Sequence, residues 1–211
     1  MLSLDTHRGF TLIELLVTMS IAAVLLALGA PALGTYLQNS KIAAATSSLY
    51  SVVQSARTAA IRGNAQAQLV LTDTPLSTPN LANVLAPAVA GRNWVVRVFD
   101  PILGTWQVVE TKSGAEGESN AAAPAIQLLV AAVAPTPAFG GTITFNPLGA
   151  PVDALPPNNP ATYTIDITNP TGDACAAAGT MRCRRITVQP GGQITACDPV
   201  ALPIDSRWCP I

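Results

Sequence analysis

A long apolar segment near the N-terminus limits what this chain can fold into more than any other feature. Residues 10–33 read FTLIELLVTMSIAAVLLALGAPAL, and Glu14 is their only ionisable residue. A helix of this length crosses a hydrocarbon core of roughly 30 Å. His7 and Arg8 precede the segment, and basic residues favour the cytoplasmic side of a membrane helix. The segment is therefore predicted to span a membrane, with the rest of the chain exported.

A cleaved secretory signal is the alternative interpretation of this segment. Ala30-Pro31-Ala32 has the small residues of a signal-peptidase site. However, the apolar run is longer than the core of an ordinary signal, and it carries a carboxylate. A carboxylate within an apolar helix costs roughly 2.5–3.5 kcal/mol on insertion scales, and less near the helix end. The presence of Glu14 therefore calls for a functional reason.

The composition restricts the function further. Charged residues make up 11% of the chain, against about 25% in typical soluble domains, so neutral polar and small apolar groups must cover most of the surface. Such a surface suits a chain that lies against a membrane or against related subunits. The net charge of -1 gives no overall attraction to nucleic acid. The length of 211 residues suits one domain with an appended element.

The cysteines lie close together near the C-terminus, at Cys175, Cys183, Cys197 and Cys209. No two of them form a C-x-x-C pair, so their spacing does not indicate a zinc site. An even, clustered set of this kind is typical of two disulfides formed in an oxidising compartment. The sequence leaves all three pairings open. It also leaves open that the cysteines are buried free thiols.

The sequence offers little material for catalysis. His7 is the only histidine, and it lies before the apolar segment. Downstream of it, serine, cysteine and aspartate nucleophiles lack the imidazole that usually activates them. The chain has neither a glycine-rich phosphate loop nor carboxylates at calcium-loop spacing. We therefore expect no enzymatic activity, no cofactor and no metal site.

The pattern changes towards the end of the apolar segment. Gly29 and Pro31 interrupt it, which predicts either a local loss of helix when subunits pack together or a simple kink at the membrane exit. Helical spacing then continues as far as Gly63 and Asn64, a helix-stop signal. The apolar residues with this spacing are expected to pack on a sheet; they are Leu37, Ala44, Ala45, Leu49, Val52, Val53, Ala56 and Ala60.

Beyond residue 65, short β-type runs alternate with Pro, Gly and Asn, which predicts an antiparallel sheet or β-sandwich. The predicted strands cover residues 66–72, 94–99, 106–111, 126–133, 142–145, 162–167, 184–188 and 193–197. Residues 189–192, Gln-Pro-Gly-Gly, predict a hairpin between the last two strands. Loops 74–87 and 114–124 are expected to be exposed, and Trp94, Phe99 and Phe145 to lie in the core. The predicted fold class is α+β, with a long N-terminal helix, membrane-spanning in its first half, packed on the β domain.

The start of the apolar segment resembles the prepilin peptidase site of type IV pilins and type II secretion pseudopilins: Arg8-Gly9-Phe10-Thr11-Leu12-Ile13-Glu14-Leu15-Leu16. The resemblance implies cleavage between Gly9 and Phe10, followed by N-methylation of Phe10. It divides the chain into a leader of residues 1–9, a transmembrane half-helix of residues 10–33, a periplasmic half-helix of residues 34–64 and a β-rich pseudopilin domain of residues 65–211.

Glu14 acquires a role in this arrangement. Cleavage would leave a cationic amine at Phe10, one helical turn from Glu14, and opposite charges buried together cost far less than either charge alone. If the amine of one subunit meets Glu14 of its neighbour, the ion pair sets the register between the two helices. The two charges then find partners only when the subunits assemble. Thr11 is expected to help the helix start.

The later part of the chain resembles the general secretion pathway protein H and FimT/FimU group of minor pseudopilins and minor pilins. The similar pieces are Ala59-Ala60-Ile61-Arg62-Gly63-Asn64, Gly91-Arg92-Asn93-Trp94-Val95-Val96 with Asp100, Ile143-Thr144-Phe145-Asn146-Pro147-Leu148-Gly149, and Arg182-Cys183 before the hairpin. The resemblance implies a structural subunit of a type II secretion pseudopilus or a type IV pilus, with other pilins or pseudopilins and the prepilin peptidase as partners. It also implies a single-pass protein of the bacterial inner membrane, with a cytoplasmic N-terminus and a periplasmic C-terminal domain, that enters a filament.

A DNA-binding role is the alternative function. Some FimT-like minor pilins bind DNA through a Gly-Arg-x-Arg motif on the final hairpin, whereas this chain has Gly192-Gln193-Ile194-Thr195, without either arginine. Possible phosphate contacts remain across the hairpin at Arg182, Arg184 and Arg185. Asp173, Asp198 and Asp205 lie near them in sequence, so a solvated edge strand, protected by its charges, is the favoured interpretation of this segment.

Overall fold

The computed structural model describes residues 10–89, 91–113, 125–131, 141–152, 162–168 and 179–209, with the backbone alone at residues 30–32 and 125–131. The chain divides into two compact units, Met1–Leu37 and Gln38–Ile211. One helix, α1, Leu12–Gly63, contributes residues to both units. The second unit contains a short helix and nine strands among its described residues.

In the first unit, α1 begins immediately after Thr11. The Thr11 hydroxyl accepts a hydrogen bond from the Glu14 backbone N–H at 3.3 Å, which is the geometry of an N-cap and confirms the expected role of Thr11. Residues Leu12–Gly29 have a mean hydropathy of 2.3, and none of this window is buried. The helix is therefore long and apolar enough to cross a membrane.

The helix continues through Pro31 in the single chain, and a local loss of helix on packing with other subunits stays a prediction. One proline removes a single hydrogen bond from the helical ladder, and the alanines and leucines around it are among the best helix formers. The alternative, a kink at this proline, stays a prediction.

In the second unit, the chain forms two antiparallel sheets, which confirms the α+β class. Sheet A has the strand order β3-β2-β1-β5-β6, and sheet B has the order β4-β7-β8-β9. The strands are β1 Ala67–Thr72, β2 Asn93–Asp100, β3 Thr105–Ser113, β4 Ala125–Ala131, β5 Thr142–Phe145, β6 Pro151–Val152, β7 Thr162–Thr168, β8 Arg184–Val188 and β9 Ile194–Cys197. The second helix, α2, is Leu81–Val84.

The strand predictions hold closely, including the hairpin between β8 and β9. Gln189 and Gln193 close its turn through a backbone hydrogen bond of 2.9 Å, and Gly192 takes a φ of 80°. The end of the predicted strand 126–133 lies outside the described residues, as does loop 114–124. Strand β6 and helix α2 were not predicted, because two and four residues are too short to show a period.

The core of the second unit joins one stripe of α1 to the inner faces of both sheets. Leu49, Val52, Val53, Ala56 and Ala60 are buried, as predicted, but Leu37 and Ala44 are exposed. Ile42 and Thr46 complete the stripe instead. Residues 42, 46, 49, 53, 56 and 60 alternate steps of four and three, which is the spacing of one helix face.

Sheets A and B are linked within this core by Tyr163. Its side chain is fully buried, and its hydroxyl donates to the Val152 carbonyl at 2.6 Å. Strand β7 around it alternates buried and half-buried residues, the pattern of a strand with one face in a core. Trp94 and Phe145 also lie in the core, as predicted.

The outer face of sheet A is covered by the segment that contains α2. Val70 and Val95 face each other across β1 and β2 and are fully buried, although they lie on the face opposite to the main core. Arg97, on the same face as Val95, donates to the Ala82 carbonyl and so ties α2 to this face. Because Leu81 and Ala82 are buried, the expectation of an exposed loop at residues 74–87 is wrong for this part.

An aromatic pair extends this outer layer. Phe99 is only half-buried, contrary to the expectation that it lies in the core, and packs edge-on against Trp106 with 5.3 Å between ring centroids. The Arg97 guanidinium lies 4.6 Å from the centroid of the Trp106 ring and donates to Gln68 Oε1. Burial lowers the pKa of Arg97 from its ordinary value. Phe99 therefore belongs to a half-buried cluster in which Trp106 and Gln68, both neutral, surround the Arg97 guanidinium.

Candidate functional site

The predicted assembly residues lie at the start of α1. Phe10 is 81% exposed and precedes the first helical residue, Leu12. Gly9 lies outside the described residues. Glu14 is exposed, and its carboxylate makes no hydrogen bond or ion pair with any residue of the described ranges. The chain therefore presents an acceptor-only group near the start of an apolar helix.

Large apolar side chains occur on every side of the helix around Glu14, and Thr11 and Thr18 are the polar residues one turn away from it. Successive helical residues are rotated by about 100°, so a run of consecutive exposed residues samples all sides of the helix. The exposed large apolar side chains of the first unit are Phe10, Leu12, Ile13, Leu15, Leu16, Val17, Met19, Ile21, Val24, Leu25, Leu26, Leu28, Leu33, Tyr36 and Leu37. Their burial requires lipid or other helices, because no described residue of the first unit covers them.

The three candidate phosphate-binding arginines do not share one cationic surface. Arg185 holds Asp166 through two hydrogen bonds, with Nε 2.6 Å from Oδ1 and Nη2 2.9 Å from Oδ2. These bonds raise the pKa of Arg185, and the Asp166 carboxylate offsets its positive charge. Arg184 is its neighbour on β8, so the two side chains start from opposite faces of sheet B. Arg182 precedes the strand. The DNA-binding alternative gains no support from this arrangement.

The disulfide prediction is confirmed for one pair. Cys197, at the end of β9, is bonded to Cys209, and the Asp198 backbone N–H donates to the Arg207 carbonyl at 2.7 Å. These links fold the C-terminal tail back towards the end of β9. Cys183 is also disulfide-bonded, whereas Cys175 lies outside the described residues.

The folded-back tail borders an open cavity of about 250 Å³ lined by charged and apolar side chains. Within it, the Asp205 carboxylate accepts hydrogen bonds from the side chain and backbone of Arg207, which lower the pKa of Asp205 to about 2. The two groups form an ion pair with 2.6 Å between Nη2 and Oδ2. The Asp205–Arg207 pair lies within the tail itself, so it stabilises the tail and does not by itself indicate a ligand.

Several structural residues were missed because they act through long-range backbone contacts. The Asn39 side chain donates to the Thr180 carbonyl at 2.9 Å and accepts from the Arg182 N–H at 2.8 Å, which fixes the chain before β8. Arg57 Nε donates to the Gly149 carbonyl at 3.1 Å. The sequence around Asn39 and Arg57 gives no signal of these contacts, because a polar side chain on a helix usually faces solvent.

The described part of the chain shows no group of three or more His, Cys, Asp or Glu side chains that could hold a metal ion. What its geometry does provide is an apolar helix with one carboxylate, followed by a disulfide-bearing β domain.

Comparisons with known families agree with this architecture. Residues 5–30 match the prokaryotic N-terminal methylation motif. Together with the apolar helix and the antiparallel sheets, this match defines a pilin-like subunit.

Residues 45–192 match the family model of the type II transport protein GspH. Because this match covers more than half of the chain, the protein belongs to the GspH family. It is a minor pilin or pseudopilin.

The search of curated proteins finds no match. Among solved structures, the type IV minor pilin FimU of Pseudomonas aeruginosa (strain PAO1) is 14% identical, covers 76% of this chain and 90% of that chain, and has a TM-score of 0.44. The minor pseudopilin EpsH from the type 2 secretion system of Vibrio cholerae is 13% identical over 75% of this chain and 98% of that chain, with a TM-score of 0.44. A second EpsH structure is 11% identical over 80% of this chain and 99% of that chain, with a TM-score of 0.45. Likenesses at this level do not assign a function.

Proposed function

We propose that this GspH-family chain is a structural subunit that enters a type II secretion pseudopilus or a type IV pilus through its N-terminal helix. The observation that carries the proposal is Glu14, a carboxylate without a partner among the described residues, near the start of a helix whose large apolar side chains in the first unit are exposed. A free-standing domain would gain nothing from such a surface. A subunit that packs its helix among the helices of other subunits buries these apolar side chains. Pairing of Glu14 also fixes the register of its helix against theirs.

The first step is removal of the leader. In the proposal, prepilin peptidase cleaves between Gly9 and Phe10, and the new amine of Phe10 is methylated. The methylation-motif match at residues 5–30 and the exposure of Phe10 before the first helical turn both support an accessible cleavage site. Leader residues 1–9 are then absent from the assembled subunit.

The second step is pairing of charges between subunits. The Phe10 amine is a cation in apolar surroundings, and Glu14 is an anion in the same surroundings. Each alone carries a desolvation cost of several kcal/mol, which a close ion pair with good hydrogen bonds offsets. Since Glu14 has no partner among the described residues of its own chain, the amine of a neighbouring subunit supplies one.

The proposal also fixes the topology. The N-terminus lies in the cytoplasm, residues 10–33 cross the inner membrane, and residues 34–64 together with the β domain of residues 65–211 lie in the periplasm until assembly. The Cys197–Cys209 disulfide supports an oxidising compartment for the β domain. The role is structural and not enzymatic, and other pilins or pseudopilins, the prepilin peptidase and the inner membrane are the partners.

Mass spectrometry of the chain extracted from membranes tests processing directly. The expected product begins with methylated Phe10. Gly9→Ala is expected to be processed, and Gly9→Val to accumulate with its leader, since a larger side chain obstructs the peptidase. A mature terminus shortly after Ala32 would instead identify an ordinary secretory signal and reject the proposal.

Gene deletion then distinguishes the two filaments. Loss of exoprotein secretion with normal twitching motility assigns the chain to a secretion pseudopilus, and the reverse phenotype assigns it to a type IV pilus. Unchanged secretion and unchanged motility in the deletion strain would contradict both assignments.

A further inference from the structure

Four large aliphatic side chains lie at one end of the second unit, the end at which α1 terminates. We call Ile61, Ile102, Leu103 and Leu148 the distal surface. Their exposed fractions are 48%, 93%, 64% and 84%, respectively. Exposed aliphatic side chains gathered at one end of a domain are typical of an interaction surface.

The strand registers place these residues at the same end. Gly63, at the end of α1, lies against the Val98 side chain, and β2 continues from there to the turn that carries Ile102 and Leu103. Strand β5 ends at Phe145 opposite Ala67, the first residue of β1, so the turn that carries Leu148 lies at this end too. A side chain at Gly149 would meet Ile61, which connects this turn to the helix end.

The two turns are built alike and hold their aliphatic residues outwards. Asp100 Oδ1 accepts from the Ile102 N–H at 2.9 Å and from the Leu103 N–H at 3.1 Å. Asn146 Oδ1 accepts from the Leu148 N–H at 3.0 Å and from the Ala150 N–H at 3.0 Å. Turn positions usually carry glycine or small polar residues. Exposed aliphatic side chains on turns whose backbones are held by hydrogen bonds therefore indicate contact with a partner protein. A surface fixed in advance loses less conformational entropy on binding.

The charge of the distal surface restricts its partner. Arg62 is exposed beside Ile61 and makes no hydrogen bond or ion pair with any residue that the structure describes. Asp100 Oδ1 accepts hydrogen bonds from two backbone N–H groups, so this carboxylate holds its own turn. Two copies that met symmetrically through this surface would bring one Arg62 towards the other, and the carboxylate of the two turns, Asp100, already holds the backbone of its own turn through Oδ1. A different chain with an acidic group fits better.

We infer that the distal surface binds the globular domain of a different pilin-like subunit, which presents an apolar depression with a carboxylate at its rim. The inference rests on the proposed function, because filament assembly brings such domains together. A bilayer is the less suitable occupant. Residues 38–61 of α1 rise by about 35 Å, and in the proposed function the lipid-embedded part of the helix ends before residue 38.

Site-specific photocrosslinking in cells that produce the full-length chain tests the partner. Benzoylphenylalanine replaces Ile102 or Leu148, and Ile204, which is 94% exposed in the C-terminal tail, is the matched control. We expect Ile102 and Leu148 to crosslink to a protein that itself carries a prepilin leader, identified by peptide mass spectrometry, and Ile204 to give much less of this product. Crosslinks only to lipid or to a second copy, no crosslink, or equal yield from Ile204 would overturn the inference.

Substitution separates this inference from the proposed function. The double variant Ile102→Ser/Leu148→Ser should remain folded, processed and membrane-inserted, yet its co-purification with other pilin-like subunits should fall by about tenfold or more. Ile204→Ser should co-purify like the wild type. If the double variant and Ile204→Ser both co-purify normally, the distal surface is not the interface although the proposed function stands. If the wild type itself does not co-purify with such subunits, both ideas fail.

Discussion

Residues 12–37 and residues 38–63 belong to one helix and share little beyond their backbone conformation. In the first part, the large apolar side chains are exposed on every side. In the second part, one stripe is buried under two sheets while the residues between its members remain exposed or half-buried. The second part finds its packing partner within its own chain. The first part must find one in lipid or in other subunits.

The difference shows that helical structure and helix packing have separate causes. Alanine and leucine favour a helix in both parts. A buried face, however, needs a partner surface, and only the sequence that follows Gly63 provides one. The substitutions below test how far the two parts behave independently.

The largest effect is expected from Glu14→Val, measured as co-purification with partner subunits. The substitution leaves the Phe10 amine of a neighbour buried without a counter-ion, which costs about 3–5 kcal/mol by analogy with broken buried ion pairs. Membrane insertion and leader cleavage should persist, since the helix becomes more apolar. Thr18→Val is the control, because it removes a polar group that only bonds the Leu15 carbonyl. Normal incorporation of Glu14→Val would show that Glu14 does not set the register.

Leucine truncation should separate the two parts of the helix next. Leu49 is fully buried, so Leu49→Ala should lower the free energy of unfolding of the β domain by about 2–5 kcal/mol. Leu26 is 73% exposed, and Leu26→Ala should leave this free energy unchanged. Denaturant unfolding in mild detergent, followed by tryptophan fluorescence, measures both. Equal destabilisation by the two substitutions would mean that the parts do not unfold separately.

Glycine substitution should act in opposite directions in the β domain and in the first part of the helix. An alanine at Gly192 would collide with the Gly149 carbonyl oxygen and would retain a φ of 80°, so Gly192→Ala should destabilise the β domain by about 1–3 kcal/mol. Gly34 has no heavy atom within 4 Å of an added Cβ. Gly34→Ala should therefore favour the helix by up to about 1 kcal/mol. Unfolding curves and far-UV circular dichroism in detergent provide the two measurements; a stabilising Gly192→Ala would contradict the described turn.

The smallest effect concerns acid stability of the tail. The pKa of Asp205 is lowered to about 2 by its hydrogen bonds to Arg207. A lowered carboxyl pKa stabilises the folded state above the unfolded value of about 3.9 and loses this contribution as the pH falls towards the folded value. Wild type and Asp205→Asn should therefore differ slightly above about pH 4 and converge between about pH 4 and 2. Because the pair is solvent-exposed, added salt should reduce the difference. A difference that grows at low pH would contradict the pairing.

The strands were predictable where burial on one face imposes alternation. Strand β7, with the sequence TYTIDIT, alternates regularly, and its predicted bounds differ from the observed ones by one residue. The helix stripe was less predictable. Apolar residues are so frequent in α1 that spacing alone does not select a face, and Leu37 and Ala44 were assigned to the core in place of Ile42 and Thr46.

The candidate functional residues also divide into those that the sequence predicts and those that it does not. The leader, Phe10 and Glu14 form a contiguous motif, so the sequence marks them directly. The distal surface combines residues from α1 and two hairpins, and its two turns depend on the side chains of Asp100 and Asn146. Neither turn resembles a binding motif in sequence.

The sequence by itself determined the apolar helix, its lone carboxylate, the methylation motif and the run of β-strands, because each is encoded by residues close together in the chain. Only the tertiary structure decided which cysteine Cys197 bonds, how Asp166 pairs with Arg185, and that Ile61, Ile102 and Leu148 lie at one end of the domain. These features depend on strand register. Register is set jointly by the alternating patterns of two paired strands and by the turns between them, so the sequence of one strand alone does not specify it.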